Sequence, residues 1–191
     1  MPSMDRSSLS SSAYADLVDL GRRLYDRALV RREEELITDP RVPMLDGALF
    51  EEVGGVLAER LRERGVHQVV GYGFGAYPLV CSVLTADDDP VFKGGLVREE
   101  AKGHGRRRLV EGPVDETQPV ALLDDIINSG RSAAKALELV RGEGYEVVGL
   151  LTLFNFTWSS GQARIEDEGL WVDSLLDLNL RESTNSTSDS A

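Results

Sequence analysis

The chain is poor in cysteine and lysine. Its 191 residues include one cysteine, Cys81, and three lysines, Lys93, Lys102 and Lys135. One cysteine excludes an intrachain disulfide, and because Cys81 falls in an apolar stretch we predict a buried structural thiol rather than a nucleophile. Since arginine is far more frequent than lysine, each lysine is a candidate for a specific role.

Long apolar runs and an excess of positive charge are also absent. A membrane-spanning helix needs about 20 consecutive apolar residues, and no apolar run in the sequence approaches that length. The N-terminus has no basic segment followed by an apolar one, so we predict no signal peptide, no membrane partner and a cytoplasmic location. The net charge of −12 disfavours a nucleic-acid partner. It leaves a phosphorylated ligand open, because the local field of a site can oppose the net charge.

Length and patterning predict a single domain. Strands and helices alternate between residues 66 and 156, which predicts an α/β fold with a doubly wound, mostly parallel sheet. We expect one domain over residues 13–181, with its core at about 66–156. The polar ends, residues 1–12 and 182–191, are predicted to be disordered.

Apolar spacing locates the other elements. Helices are predicted at residues 13–30 and 45–64, a buried strand at 66–70 and an apolar strand at 147–156. Residues 31–35 are predicted to continue the first helix in solvent before two prolines end it. A final amphipathic element is predicted at residues 170–180.

The most informative stretch is the sequence VALLDDIINSGRS at residues 120–132. Its first four residues are typical of a buried strand, and Asp124 and Asp125 stand at the carboxyl end of that strand. Residues 128–130 form a tight turn, and Ser132 is predicted as the N-cap of the next helix. Backbone N–H groups at a helix N-terminus suit a phosphate. Paired carboxylates suit a sugar diol or a hydrated Mg²⁺, so the stretch favours a phosphorylated sugar.

Acidic strand ends followed by small-residue turns also occur in α/β proteins as plain strand termini and caps. The whole string, however, closely resembles the phosphoribosyl pyrophosphate (PRPP) motif of type I phosphoribosyltransferases. In that motif an apolar strand is followed by two acidic residues, two aliphatic residues and a Thr/Ser/Gly-rich loop.

A glycine-rich segment, GYGFGAYP at residues 71–78, follows the preceding strand. Glycines in a strand-to-helix loop allow close backbone approach to an anion, although a plain glycine-rich turn fits the pattern equally well. Its place upstream of the Asp124-Asp125 pair resembles the pyrophosphate-binding loop of the same family.

A charged segment, REEAKGHGRRRLVEG at residues 98–112, is typical of a solvated hairpin when judged by charge alone. It also resembles the catalytic loop of orotate phosphoribosyltransferases, in which Arg-Lys-Glu-Ala-Lys-x-His-Gly precedes a Leu-Val/Ile-x-Gly strand. The matching residues are Arg98, Glu100, Ala101, Lys102, His104 and Gly105. This match is independent of the first.

The resemblance implies a type I phosphoribosyltransferase fold with a small hood built from terminal segments. It implies Mg²⁺-dependent transfer of 5-phosphoribosyl from PRPP to an acceptor, with release of pyrophosphate, by a homodimer that shares residues 98–112 between subunits. The implied catalytic residues are Arg98, Lys102, His104, Asp124 and Asp125, of which Lys102 is the foremost candidate for leaving-group stabilisation. The implied PRPP-binding residues are Phe74, Gly75, Ala76, Asp124, Asp125, Ile126, Ile127, Asn128, Ser129, Gly130, Arg131 and Ser132, and the aspartates are also candidate Mg²⁺ ligands.

Three departures from the family pattern concern the acceptor and the charged loop. Glu99 replaces a cation of the loop with an anion, and the Lys-Ser-Gly segment near the family's N-terminus is not evident. The strand that usually ends in Leu-Asp-Arg ends here in FNF at residues 154–156, so the arginine that pairs with the orotate carboxylate is missing. These departures predict an acceptor other than orotate: another base, an amine or a hydroxyl.

Two other function classes compete. A non-catalytic PRPP or nucleotide sensor could use the same fold, but Lys102 and His104 argue against it because a sensor needs no leaving-group chemistry. A hydrolase or kinase is disfavoured, because the sequence has no Gly-x-x-x-x-Gly-Lys-Ser/Thr loop and no Gly-x-Ser-x-Gly elbow.

Overall fold

The computed structural model of the chain describes residues 11–86, 91–99 and 108–179. The helices are α1 (Ser11–Ala28), α2 (Arg41–Met44), α3 (Gly47–Glu63), α4 (Ala76–Leu84), α5 (Arg131–Gly142) and α6 (Gly161–Glu166). The strands are β1 (Leu29–Arg32), β2 (Glu35–Thr38), β3 (Gln68–Tyr72), β4 (Lys93–Val97), β5 (Val110–Glu111), β6 (Val120–Ile127), β7 (Val147–Phe156) and β8 (Trp171–Leu178). In the described ranges, none of the helices has the length and apolar character required to cross a bilayer.

A six-stranded sheet forms the centre of the fold, in the order β5-β4-β3-β6-β7-β8. All neighbouring pairs are parallel except β4 and β5. From β3 the chain moves to β4 on one side, and β6 then lies on the other side of β3. This reversal of direction makes the carboxyl ends of β3 and β6 a topological switch point, where open α/β sheets bind ligands. The predicted doubly wound, mostly parallel sheet is confirmed.

Both faces of the sheet are covered, because strand residues alternate between two hydrophobic layers. In β6, Ala121 and Leu123 belong to the layer that contains buried residues of α1, α3 and α4, whereas Leu122 belongs to the layer that contains those of α5 and α6. α4 and α5, the helices that follow β3 and β6, therefore lie on opposite faces of the sheet.

Several predicted elements match the structure closely. The strand predicted at residues 147–156 is β7, and the helices predicted at 13–30 and 45–64 are α1 and α3. The amphipathic element at residues 170–180 is strand β8, which pairs parallel with β7 at the edge of the sheet.

Two predictions were wrong. Residues 31–35 do not continue α1, because Glu33 turns the chain at φ 56° and the flanking residues pair as the antiparallel hairpin β1–β2. Cys81 is exposed rather than buried, since α4 directs Leu79, Val80 and Val83 into the core and leaves Cys81 outside it. The hairpin, α1 and α2 are the terminal segment for which a hood was predicted.

Candidate active site

The strand, turn and helix of the 120–132 motif lie at the switch point. β6 runs to Ile127, so Asp124 and Asp125 lie within the last residues of the strand. Gly130 has φ 69° and occupies the N-cap position, and α5 begins at Arg131. The prediction of Ser132 as N-cap was wrong, because this left-handed glycine turns the chain into the helix two residues earlier.

The Asp124 carboxyl group is buried and that of Asp125 is half-buried. Asp124 is 8% exposed, and its Oδ1 accepts from the Asp125 N–H at 2.9 Å. Oδ1 of Asp125 accepts from the Ile126 N–H at 2.9 Å. Burial, followed by the charge of Asp125, raises the pKa of Asp124 well above its ordinary value. Burial also raises the pKa of Asp125, and that rise is opposed first by hydrogen bonds with Asp124 and with backbone N–H groups, and then by the charge of Arg41.

The glycine-rich loop at residues 73–75 touches the acidic pair. A Cβ atom placed on Gly75 would lie 2.0 Å from Oδ2 of Asp125, so only glycine allows the carboxylate to approach the loop this closely. Gly73 has φ 81°, Phe74 is 79% exposed, and buried Ala76 opens α4. The structure thus brings the segments predicted to hold ribose and pyrophosphate into direct contact.

Both helices that begin at the switch point lack a side-chain cap. The N-cap residues Gly75 of α4 and Gly130 of α5 accept no hydrogen bond through a side chain. By contrast, Asp46 caps α3 by accepting from the N–H groups of Ala48 and Leu49. The first-turn N–H groups of α5 therefore remain available to an anion, and the helix dipoles favour negative charge at both N-termini. In the first turn of α4 the Ala76 N–H donates to the Gly73 carbonyl at 3.2 Å and Pro78 has no N–H, so this turn offers the Tyr77 N–H.

A second loop, which was not predicted from the sequence, supports the turn after β6. The Ser159 hydroxyl donates to the Asn128 carbonyl, and Gly161 packs so closely that a Cβ atom there would lie 2.0 Å from the same carbonyl oxygen. The Ser-Ser-Gly sequence after an apolar strand was the available signal.

Arg41, like Ser159 and Gly161, was not predicted from the sequence. It is the first residue of α2, and its positive charge lowers the pKa of Asp125 against the larger rise that burial causes. In the sequence it appeared only within the proline-containing segment that ends the first helix.

The other predicted residues occupy different positions. Ile127 is buried in the hydrophobic layer of α5, and half-buried Ile126 packs against the layer on the opposite face of the sheet. Ser129 lies in the turn, where its Oγ accepts from Nε of Arg131 at 3.4 Å. Arg98 follows β4 and donates to Glu111 at 3.4 Å. Lys102 and His104 lie outside the described residues, as do Glu100, Ala101 and Gly105.

Aromatic and amide groups occupy the carboxyl end of β7. Phe156 and Trp158 are half-buried and stack with their ring centroids 4.5 Å apart. Asn155 is buried and donates to Gln162 at 2.7 Å and to Asp177 at 3.0 Å.

Known proteins show where this chain belongs. No family model matches it. It is 38% identical over 124 residues to an orotate phosphoribosyltransferase of Rhodopirellula baltica, an alignment that covers 63% of this chain and 64% of that protein. It is 32% identical over 169 residues to that of Mycobacterium tuberculosis, covering 86% of this chain and 93% of the relative. The crystal structure of M. tuberculosis orotate phosphoribosyltransferase in complex with PRPP superposes with a TM-score of 0.71 at 27% identity, over 90% of this chain and 93% of the other. The chain therefore belongs to the type I phosphoribosyltransferases, in the orotate phosphoribosyltransferase branch.

Proposed function

We propose that the protein transfers 5-phosphoribosyl from PRPP to an acceptor and releases pyrophosphate. The observation that carries the proposal is the pair of uncapped, glycine-initiated helices on either side of Asp124 and Asp125. PRPP has a phosphate at one end, a pyrophosphate at the other and a diol between them, and this order matches the order of groups across the site. The PRPP complex of the M. tuberculosis relative supports the same ligand.

Each part of the site then has a defined task. Residues 128–132 bind the 5′-phosphate through backbone and hydroxyl groups, and residues 74–76 bind the pyrophosphate. Asp124 and Asp125 accept hydrogen bonds from the ribose hydroxyls and stabilise the positive charge that develops on the sugar. Arg98, Lys102 and His104 neutralise the departing pyrophosphate, with Lys102 as the main donor.

The carboxylates also suit Mg²⁺. In the described ranges no three His, Cys, Asp or Glu side chains converge as a metal cage. A single acidic pair fits an ion that keeps several waters and binds substrate phosphates. Asp124 and Asp125 would hold it, and bound Mg²⁺ would neutralise charge on the pyrophosphate.

The proposed acceptor is another base, an amine or a hydroxyl rather than orotate. Phe156 stands where the family's carboxylate-binding arginine is expected, and it stacks on Trp158. An orotate carboxylate desolvated beside this pair would lack a partner, which is costly. We also propose a homodimer in which residues 98–112 complete the partner's site.

Pyrophosphate release from PRPP and Mg²⁺ tests the proposal, first with orotate and then with a panel of bases, amines and hydroxyl acceptors. We expect release with a panel member and little with orotate. Rapid turnover with orotate would contradict the acceptor proposal alone. PRPP binding without release under any acceptor would contradict transfer and favour a sensor.

PRPP affinity should fall as the pH is lowered. The fall should begin at a higher pH than it would for an ordinary aspartate, whose pKa is about 3.9. Burial raises the pKa of both carboxyls, so protons compete with the ribose hydroxyls and Mg²⁺ earlier. Calorimetric titration of PRPP with Mg²⁺ between neutral and mildly acidic pH measures this effect. Because the charge of Asp125 contributes to the raised pKa of Asp124, the Asp125→Asn variant should lose affinity only at lower pH. An identical pH profile in the variant would contradict the coupling.

A further inference from the structure

A buried aspartate holds one arginine in a fixed position beside the site. Asp39 is 6% exposed. Its Oδ1 accepts from Nε of Arg41 at 2.7 Å, and its Oδ2 accepts from Nη2 at 2.8 Å. This is a two-point fork, the geometry in which a guanidinium is most strictly oriented. Arg32 donates to the same carboxylate at 3.1 Å, so the three charges sum to +1 and leave positive charge for another anion.

The position of Arg41 points to one end of the ligand. α2 packs against α4, and Met44 of α2 shares the hydrophobic layer of α4. α4 begins directly after Gly75, which touches Asp125, and the charge of Arg41 acts on that same carboxylate. The turn at residues 128–130 leads instead into α5, which packs on the opposite face of the sheet. Arg41 therefore lies on the side of the 73–75 loop.

The 73–75 loop itself brings no cation to that side of the site. The loop and the start of α4, residues 73–76, carry no charged side chain, and Asp124 and Asp125 add negative charge next to it. The cations proposed above for the pyrophosphate, Arg98, Lys102 and His104, all come from the charged segment at residues 98–112 and none from the hood. A pyrophosphate placed here would meet two carboxylates, and helix N–H groups alone supply only partial charge.

We propose that Arg41 binds the pyrophosphate group of PRPP and that Asp39 is its positioning residue. This inference rests on the proposed function and adds to it a hood-side ligand for the leaving group. The Arg41 side chain is 45% exposed, so its fork is fixed by Asp39 while its outer edge stays open to a ligand.

Calorimetric titration with PRPP, inorganic pyrophosphate and ribose 5-phosphate, each with Mg²⁺, tests the assignment without a known acceptor. Arg41→Ala should weaken PRPP and pyrophosphate binding by about tenfold to a hundredfold, the range for hydrogen bonds to charged groups. Ribose 5-phosphate binding should change little. Arg41→Lys should recover part of the loss, and millimolar guanidinium chloride should restore PRPP affinity to Arg41→Ala but not raise that of the wild type.

Arg32→Ala is the matched control, because Arg32 also donates to Asp39 but is 63% exposed on the hairpin. It should leave PRPP affinity within about twofold, as expected for an exposed ion pair. Equal PRPP affinity in Arg41→Ala and wild type would overturn the role of Arg41 alone, and so would a loss confined to ribose 5-phosphate. A wild-type protein that binds neither PRPP nor pyrophosphate would overturn the proposed function as well.

Discussion

Replacing Gly161 with alanine should weaken PRPP binding by about a hundredfold, the scale expected when a binding group is displaced by an ångström. The new Cβ atom would lie 2.0 Å from the Asn128 carbonyl oxygen and 2.8 Å from the Gly130 amide nitrogen. Both are backbone atoms of the turn that we assign to the 5′-phosphate, so no side-chain rotation relieves the overlap. The turn itself must move, and its N–H groups move with it. Overpacking should also cost about 1–3 kcal/mol of unfolding free energy.

The measurement is calorimetric titration with PRPP and with ribose 5-phosphate, together with thermal unfolding. Gly55→Ala is a matched control, because Gly55 lies on the exposed side of α3 and a Cβ atom there would meet nothing within 4 Å. It should leave PRPP affinity unchanged and stabilise the fold by about 0.5–1 kcal/mol. Wild-type affinity for ribose 5-phosphate in Gly161→Ala would remove residues 128–132 from the phosphate site.

Asp124→Asn should reduce turnover by about a hundredfold to a thousandfold while making the folded protein more stable. The amide keeps the shape of the carboxyl but loses the charge that stabilises the developing sugar cation. The gain in stability follows from burial. Because the pKa of Asp124 is raised in the folded state, the stability that this group contributes is present at low pH and is lost as pH rises through the folded pKa. At neutral pH the amide avoids that cost, by about 0.5–2 kcal/mol.

Chemical unfolding of wild type and Asp124→Asn at neutral and acidic pH tests the predicted gain in stability. The difference in unfolding free energy should shrink as pH falls, since wild-type Asp124 then becomes protonated. Asp39→Asn should have the opposite effect and make the folded protein less stable at neutral pH. The reason is that Arg41 lowers the pKa of Asp39, so the charged form of Asp39 stabilises the fold. A less stable Asp124→Asn at neutral pH would mean that the carboxylate has a structural role.

The sequence predicted those parts of the fold that depend on local patterns. β7 matches its predicted limits because ten consecutive residues are mostly apolar, and the acidic pair was located because it follows such a run. The hairpin β1–β2 was missed because each strand has only four residues, two of them apolar, and because its turn depends on Glu33 at positive φ.

The parts of the site that could not be predicted from the sequence depend on contacts between distant segments of the chain. Gly161 supports the phosphate turn from 31 or more residues away in the chain, as the Ser159 bond to Asn128 also does. Asp39 and Arg41 are neighbours in sequence, but their relation to Asp125 depends on how α2 packs against α4. Residue preference favours Ser132 as N-cap, whereas the backbone angle of Gly130 decides where α5 begins.

The contact of Gly75 with Asp125 has a consequence for engineering this family. Since a carboxylate at the end of β6 rests on the backbone of the glycine-rich loop, the two segments have to be exchanged together. A graft that imports the glycine loop of a relative without its acidic strand end would leave either a collision or a gap at this contact. In recombination between family members, the crossover points should therefore lie outside both segments, so that the glycine-rich loop and the acidic strand end are transferred together.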